Sequence, residues 1–241
     1  DGGGGMTAGE TARTRARGAP VFAGVAAEAL DRALAAATTR TLRDEEAVFS
    51  RGEEAERVYL ILSGMVRIST LGENGKRIVV EIFRDLEIFG ELGVIDGLAR
   101  TADASAYGPA ELLVLPATAF LGLLADSSTF AQNVLRLVTA RMRRTYSLLE
   151  DASLLNLELR LAKQVLYLAG LGMSGERRVR IHARMHQDDL ADLLGATSRS
   201  IITILNKWRA EGLATFDGRS AQLTINDIER FRTLVARPPG G

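Results

Sequence analysis

The chain has 241 residues, of which 46% are hydrophobic and 25% charged, and its 30 basic and 30 acidic side chains cancel to a net charge of zero. This composition predicts an ordinary globular protein without bulk attraction to nucleic acid or a membrane, so any basic surface must be local. The lack of cysteine excludes disulfides, iron–sulfur clusters and thiolate-bound haem or zinc. The lack of an 18-residue apolar run excludes a membrane-spanning helix. The cytoplasm is therefore the expected compartment.

The first half of the chain predicts a disordered lead, a short helix and a set of short strands. Residues 1–20 are rich in Gly, Ala, Thr and Arg without a periodic apolar pattern, which is typical of disorder. Alanine and leucine then recur at helical spacing from Val25 to Thr38. From Leu42 to Leu115, apolar runs alternate with turn signals, which favours an antiparallel sandwich or roll. The predicted strands contain residues 47–49, 58–62, 65–68, 77–83 and 111–115.

Between the last two strands, the segment from Phe89 to Ala102 carries a Gly-Glu-Leu step and, nine residues after its glutamate, a lone arginine followed by threonine. The planar fork of Arg100 is the side-chain group that best meets a phosphate in two hydrogen bonds. The Glu91 carboxylate can accept a hydrogen bond from a ribose hydroxyl, and backbone amides near a glycine can reach phosphate oxygens. These residues fit a cyclic nucleotide, which offers one phosphodiester, one free ribose hydroxyl and an apolar purine.

A long helix is predicted over residues 128–155. Its apolar seam advances by alternating steps of four and three residues, as in a short coiled coil. Two polar side chains, Arg141 and Thr145, interrupt this seam. They either fix the register of two paired helices or belong to a helix that only lies on the surface. The functional alternative is that they face a ligand as well as the partner helix, in which case Thr145 could read a purine edge. The seam residues are Val134, Val138, Arg141, Thr145, Leu148, Ala152 and Leu155.

The last third of the chain predicts helices and a hairpin in quick succession. A helix over 157–171 ends at Gly170 and Gly172, and two further helices are expected over 187–194 and 197–211. A hairpin over 213–225 follows, and a capping box from Asn226 to Glu229 opens a final helix. Two helices joined by a glycine-containing turn and followed by a hairpin form the winged helix-turn-helix pattern.

The segment from Thr197 to Arg209 contains no acidic residue and is expected to face DNA. Its apolar residues fall at helical spacing, so the opposite face is free to read base edges. Arg199 can pair with guanine, and Ile202 or the methyl group of Thr203 can touch a thymine methyl. The alternative interpretation is a helix pair that binds protein. The buried face is predicted to hold Ile201, Ile204, Leu205 and Trp208, and the DNA-contacting candidates are Gln187, Thr197, Ser198, Arg199, Ser200, Ile202, Thr203 and Lys207.

Together these segments resemble the cyclic-AMP receptor protein and fumarate-nitrate regulator (CRP/FNR) family of bacterial transcription factors, over residues 21–236. The resemblance implies an α+β fold with a jelly-roll-like, cyclic-nucleotide-binding β-roll over 21–127, a dimerisation helix over 128–156 and a winged helix-turn-helix domain over 157–237. The motifs that carry it are Val48-x-x-x-Gly52, Tyr59-x-Ile61-x-x-Gly64-x-Val66, Phe89–Leu92, Arg100–Ala102, Leu190–Gly195, Ile204-Leu205, Trp208 and Glu211–Leu213.

The resemblance also implies a role for each residue of the nucleotide site. Glu91 would accept the ribose 2′-hydroxyl beside backbone groups of Gly90 and Leu92, and Arg100 would pair with the cyclic phosphate with help from Thr101. The other implied positions are Arg141 behind the phosphate and Glu91, Thr145 and Tyr146 at the purine, and Val80 in the apolar purine slot.

Some positions depart from the family pattern. The usual base-reading glutamate, with an arginine four residues later, is replaced by Arg199 and Thr203, so the family's common half-sites do not follow for this chain. We call the nucleotide-binding segment Phe89–Ala102 the cassette. Just before it, where the family commonly has a glycine, this chain has Leu86. Thr101 can also bond a guanine edge in a syn purine. Cyclic GMP is therefore an alternative to the favoured cyclic AMP, while the single-phosphate set disfavours cyclic di-GMP.

The expected protein is a homodimer that binds a pseudo-palindromic, double-stranded operator and contacts RNA polymerase, and it is not an enzyme. His182 and His186 lie four residues apart but have no third ligand nearby, so they predict surface histidines and no metal site. Two other hypotheses stay open: a ligand-independent regulator with a relic cassette, and a cyclic-nucleotide receptor whose winged domain binds a protein. The operator, and activation as opposed to repression, do not follow from the sequence.

Overall fold

The computed structural model describes residues 8–72, 77–169 and 178–236. The chain divides into two compact units, the first holding residues up to 142 apart from 76–79, and the second holding 76–79 and everything from 143 onward. Within the described ranges, no helix is long and apolar enough to cross a membrane.

The prediction of disorder over residues 1–20 is wrong from Ala8 onward. Helix α1 spans Ala8–Arg17, a 3-10 turn spans Pro20–Phe22 and helix α2 spans Ala27–Ala35. The buried alanines at 12, 16 and 19 are four and three residues apart, so they lie on one face of the segment. The small alanine side chains let this helix approach the rest of the unit closely. Because alanine is only weakly hydrophobic, the sequence shows little difference between the buried and the exposed face of the helix.

Two four-stranded sheets form the β-roll, which confirms the predicted α+β class with an antiparallel roll. One sheet has the order β1-β8-β3-β6 and the other β2-β7-β4-β5. The five predicted strands are present, and β1, β6 and β7 were not predicted. The strands are β1 Thr38–Leu42, β2 Ala47–Phe49, β3 Arg57–Ser63, β4 Val66–Leu71, β5 Arg77–Phe83, β6 Ile88–Phe89, β7 Asp103–Ala106 and β8 Ala110–Pro116.

Strand β3 lies at the centre of the first unit and is buried on both faces. Val58, Leu60 and Leu62 belong to a core that also includes residues of α1, α2 and the three helices that follow along the chain. Tyr59 and Ile61 point the other way, into a second core between the two sheets. Cover on both faces explains why this strand reads as a continuous apolar run without alternation.

Two helices follow in the second half of the first unit, α3 over Glu91–Asp96 and α4 over Ala117–Asp126. Helix α5, over Ser128–Leu154, begins in the first unit, and its residues from 143 onward belong to the second. Helix α5 differs from the predicted seam. Val134 is buried in the core of its own unit, and Arg141 bonds within that unit, so neither faces outward. The exposed apolar stripe instead consists of Leu135, Met142 and Leu149, each seven residues from the next and at least half exposed.

The second unit confirms the predicted winged helix-turn-helix. A three-stranded sheet has the order β10-β11-β9, and the turn between α7 and α8 contains Gly195 in the left-handed conformation. Helix α6 ends before the predicted Leu171, while Gly170 and Gly172 lie outside the described residues. The elements are α6 Leu157–Leu168, β9 Val179–Arg184, α7 Gln187–Leu194, α8 Ser198–Ala210, β10 Ala214–Asp217, β11 Gln222–Ile225 and α9 Ile228–Ala236.

Side chains of the second unit set where its helices begin. Thr197 caps α8 by accepting a hydrogen bond from the Ser200 amide at 3.2 Å. The predicted capping box from Asn226 to Glu229 is not the cap that forms: Asp227, one residue after Asn226, accepts from the Arg230 amide at 3.2 Å. These caps fix the start of the helices around the buried Trp208.

Candidate functional site

The cassette begins where β6 turns into α3. Gly90 adopts a φ of +76°, and a Cβ at this position would lie 3.0 Å from Nη1 of Arg100 and 3.2 Å from the Tyr59 ring. Only glycine therefore fits both the left-handed backbone and the close approach. The turn places Glu91 at the first position of α3 with 2% of its surface exposed.

Arg100 lies against this turn and is 5% exposed. Its Nη1 donates to the Gly90 carbonyl at 2.5 Å, and its Nη2 donates to the Arg57 carbonyl at 2.6 Å. Burial lowers the pKa of the Arg100 guanidinium, but the starting value is so high that the group stays charged at neutral pH. Its Nε is buried and has no hydrogen-bond partner in the described part of the chain, so this N–H is a donor that an anion could take.

Glu91 is paired with Arg141 of α5. Nη1 of Arg141 donates to Oε1 of Glu91 at 2.5 Å, and its Nη2 donates to the Ile88 carbonyl. The guanidinium also lies 4.3 Å from the centre of the Phe83 ring. The carboxylate predicted to hold a ribose hydroxyl is therefore already a hydrogen-bond acceptor for α5.

A row of four aromatic rings connects the two arginines, and we call it the aromatic row. Ring centres are 5.7 Å apart between Phe49 and Tyr59, 5.1 Å between Tyr59 and Phe89, and 6.0 Å between Phe89 and Phe83. The Arg100 guanidinium lies 4.3 Å from the Phe49 ring at one end, as Arg141 lies over Phe83 at the other. Attraction between each cation and a ring face adds to the hydrogen bonds that hold both side chains.

The sequence did not single out the aromatic row, because its rings come from four separate strands and their contacts are set by the sheet pairing. The structure brings Gly90, Glu91, Arg100 and Arg141 together in the first unit. The other predicted nucleotide residues are placed as follows: Val80, Leu92 and Thr101 are exposed in the first unit, and Thr145 and Tyr146 are exposed on the part of α5 in the second unit.

Helix α8 presents the predicted reading face to solvent. Ile201, Leu205 and Trp208 are buried, as predicted, and Ile204 is half-buried. On the opposite side Arg199, Ile202 and Thr203 are exposed, with the Thr203 hydroxyl donating to the Arg199 carbonyl at 2.9 Å. The first two turns thus offer a guanidinium, an apolar side chain and a methyl group at the helix end that would meet base edges.

Four other predicted DNA contacts have partners within the second unit. The Ser198 hydroxyl donates to Asp188 of α7, and the hydroxyls of Thr197 and Ser200 are 2.9 Å apart. The ammonium group of Lys207 bonds Glu158 of α6 at 2.7 Å, a partner 49 residues away that the sequence analysis missed. Gln187, the remaining candidate, is the first residue of α7.

Comparison with known proteins bears on both units. Residues 39–127 match the family model of the cyclic nucleotide-binding domain, and residues 159–234 match that of the Crp-like helix-turn-helix domain. A CRP-like cAMP-activated global transcriptional regulator of Mycobacterium tuberculosis is 29% identical over 219 residues, which cover 88% of this chain and 95% of that protein. A cyclic AMP receptor protein of Thermus thermophilus is 28% identical over 197 residues, covering 82% and 88%.

A solved structure supports the same fold. FixK2 from Bradyrhizobium japonicum superposes with a TM-score of 0.74 at 19% identity, over 83% of this chain and 98% of that one. The order of the β-roll, the long helix and the winged helix-turn-helix, together with both domain matches, leads to one assignment. The chain belongs to the CRP/FNR family of transcription regulators, with a cyclic nucleotide-binding domain followed by a DNA-binding helix-turn-helix domain.

Proposed function

We propose that this protein is a homodimeric transcription regulator whose DNA affinity is controlled by a cyclic mononucleotide, with cyclic AMP as the favoured effector and cyclic GMP as the alternative. The observation that carries the proposal is the buried Arg100, whose unpartnered Nε lies in the cassette that also holds the Glu91 carboxylate. Two relatives named for cyclic AMP add support for this choice of ligand.

The proposed ligand contacts follow from the chemistry of each group. The cyclic phosphate takes the free donor of Arg100 and the hydroxyl of Thr101, and the ribose 2′-hydroxyl donates to Glu91. Gly90 and Leu92 contribute backbone groups. The remaining proposed contacts are Val80 with the apolar purine face, Thr145 and Tyr146 with the purine edge, and Arg141 with both the phosphate and Glu91.

The control step centres on the Glu91 carboxylate. Arg141 donates to it, and a bound ribose hydroxyl would share the same acceptor. A ligand shifts a conformational equilibrium only through a difference in affinity for the two states. If the ribose hydroxyl displaces or shifts Arg141 at the Glu91 carboxylate, the contact that holds α5 changes. The nucleotide would then have different affinities for the two states of α5.

The proposed output is operator binding by two copies of α8. Paired α5 helices would place the two reading helices in successive major grooves of a pseudo-palindrome, one helical turn apart. Phosphate contacts set affinity, while Arg199, Ile202 and Thr203 read bases. Such a regulator acts on DNA and RNA polymerase in the cytoplasm, and no enzymatic step belongs to this proposal.

Calorimetric titration with cyclic AMP and cyclic GMP tests the proposal. We expect micromolar binding of one nucleotide by the wild-type chain and a loss of at least about 100-fold in Arg100→Leu, because charged hydrogen bonds to the phosphate disappear. Arg43→Leu removes an exposed arginine of the same unit and should bind normally. Because Arg100 also holds two carbonyls, Thr101→Ala, which should weaken binding without touching those bonds, provides a second test. Full binding by both Arg100→Leu and Thr101→Ala would contradict the site.

A ligand-independent regulator is the second candidate. Two contacts support this candidate: both terminal nitrogens of Arg100 already donate to carbonyl oxygens, and Glu91 is already paired with Arg141. A relic cassette could be held in this way without any nucleotide. This candidate predicts equal DNA affinity with and without cyclic AMP, whereas the favoured function predicts a clear increase when the nucleotide is present.

A further inference from the structure

The first turn of α6 holds the reading helix through a single carboxylate. Glu158 accepts a hydrogen bond on each of its oxygens: Oε2 from the Lys207 ammonium at 2.7 Å, and Oε1 from the indole Nε1 of Trp208 at 3.0 Å. The two donors are consecutive residues of α8. Two bonds from neighbouring side chains resist both rotation of α8 about its axis and sliding along it.

The bond from Trp208 to Glu158 involves a buried side chain, unlike an ion pair at the surface. The Trp208 side chain is fully buried and packs edge-on against Phe231, with ring centres 4.9 Å apart. An indole can only donate, so a buried indole nitrogen needs an acceptor, and Glu158 supplies it. The Glu158 side chain is only 20% exposed, which strengthens both bonds by excluding water.

The same turn of α6 also holds the other helix of the pair. Nη2 of Arg160 donates to the Leu194 carbonyl at 2.7 Å, at the C-terminal end of α7 where a cation is favoured. Asn156 caps the start of α6 by accepting from the Leu159 amide at 3.0 Å. Helices α7 and α8 are thus both bonded to residues at the beginning of α6.

The charge of Glu158 poses a problem next to DNA. Helix α8 contains no acidic residue, yet Glu158 brings a carboxylate against its flank, where it would repel a phosphate backbone. The Lys207 ammonium compensates this charge, and its bond to Glu158 raises the pKa of Lys207, so it remains protonated at neutral pH. Lys207 therefore already has a task within the protein.

We propose that Glu158 is a positioning residue for the DNA-reading helix, and that Lys207 acts through Glu158 by neutralising it and not through a DNA phosphate. Base readout needs Arg199, Ile202 and Thr203 at fixed positions, whereas binding to random sequence needs only local positive charge. The carboxylate should therefore affect discrimination between sequences more than overall affinity. This inference rests on the DNA-binding domain and not on the identity of the effector.

The first test compares wild type and Glu158→Gln on two duplexes of equal length: one enriched by the wild-type protein from a randomised library, and one of random sequence. Glutamine has a single acceptor oxygen, so when that oxygen accepts from the indole, the amide nitrogen, which is a donor, faces the Lys207 ammonium. We expect the ratio of the two dissociation constants to fall about tenfold, the scale of one charged hydrogen bond, with random-sequence affinity unchanged.

Glu229→Gln is the matched control for this comparison. It removes the same charge from the same unit at an exposed pair with Arg232 on α9, away from the reading helix. Its ratio should match that of the wild type. An unchanged ratio in Glu158→Gln would overturn the positioning role, and so would equal losses in both variants.

The second test is a double-mutant cycle on random-sequence DNA. We expect Lys207→Gln to weaken binding about threefold in the wild-type background, because Glu158 is left uncompensated, and to have almost no effect in Glu158→Gln. If Lys207 contacted a phosphate, its loss would cost the same in both backgrounds and would lower the salt slope by about one. That result would refute the role assigned to Lys207.

Fluorescence gives a readout independent of DNA. Trp208 is the only tryptophan in the sequence, so emission excited selectively from tryptophan reports on this residue alone. Glu158→Ala, which leaves the indole without its acceptor, should shift the emission, while Glu229→Gln should not. Every comparison is made with and without cyclic AMP, so an unresponsive wild type would overturn the proposed effector without affecting the role of Glu158.

Discussion

Gly64 lies between β3 and β4 with a φ of +90°, and a Cβ there would collide with backbone atoms of the facing strand connection, including Cα of Ala110 at 2.8 Å. Gly52 has almost the same φ, +88°, but nothing lies within 4 Å of a Cβ built on it. Both glycines belong to motifs that the chain shares with the family, but the structure requires glycine at the two positions for different reasons. One is needed for backbone freedom alone, and the other also for space.

We expect Gly64→Ala to destabilise the first unit by about 3 kcal/mol or more, because left-handed strain is added to a backbone clash. Gly52→Ala should cost only about 1 kcal/mol, the price of the left-handed conformation. Urea denaturation of both variants measures the difference. Equal losses would mean that the facing backbone moves aside without cost.

The Glu87 carboxylate, just before β6, makes stability depend on pH. Burial raises its pKa above the ordinary 4.5, although the Arg84 amide, which donates to it at 2.7 Å, acts in the opposite direction. The folded state therefore binds the proton more tightly than the unfolded chain. The stabilisation from this group is complete below pH 4.5 and is lost as the pH rises through the raised pKa.

We expect Glu87→Gln to remove this loss. Its free energy of unfolding, relative to that of the wild type, should increase from pH 4.5 towards neutral pH and then level off. Glutamine keeps an oxygen for the Arg84 amide, so the hydrogen bond is preserved. Urea denaturation at a series of pH values measures both curves, and parallel curves would refute the assignment to Glu87.

At the scale of elements, α1 is a structural part of the first unit. Ala16 is completely buried, while Thr14 on the same helix is exposed. We expect Ala16→Asp to destabilise the unit by about 2–4 kcal/mol through a buried, unpaired charge, and Thr14→Asp to change stability by less than about 0.5 kcal/mol. Chemical denaturation compares them; similar values would show that α1 contributes nothing to stability.

The elements that sequence predicted best carry their own boundary signals. Helix α7 was placed over its observed residues 187–194, and the helix predicted over 197–211 is α8, which begins after its cap at Thr197. Strand β7 was missed because Asp103–Ala106 consists of small or acidic residues with weak strand preference, and it forms by pairing with β2 and β4. Helix α1 was missed because alanine alone marks its buried face.

The parts of the site that could not be predicted are contacts between residues far apart in the sequence. Glu91 and Arg100 lie in one short segment whose chemistry can be read directly. The pairing of Arg141 with Glu91, the stacking of both arginines on the aromatic row and the bond from Lys207 to Glu158 each join residues from separate elements. Their sequence neighbours carry no sign of these contacts, because tertiary packing alone creates them.

At the scale of the whole molecule, the exposed stripe on α5 should mediate the proposed dimer. Leu135, Met142 and Leu149 repeat at the heptad interval of a coiled coil. We expect Leu135→Glu to weaken dimerisation by at least about tenfold, because like charges would face each other across the two-fold axis. Sedimentation equilibrium measures this, with Leu121→Glu on α4 as the control. A dimer as tight as that of the wild type would place the interface elsewhere.

The length of α5 has a mechanical consequence. At 27 residues it is about 40 Å long, because each helical residue rises by 1.5 Å. A lever of this length turns a tilt of about 5° at one end into a displacement of about 3.5 Å at the other, close to the 3.4 Å rise of one base pair. In the proposed complex with an operator, an angular change no larger than the ordinary bending of a helix would therefore shift the contacts by about one base pair.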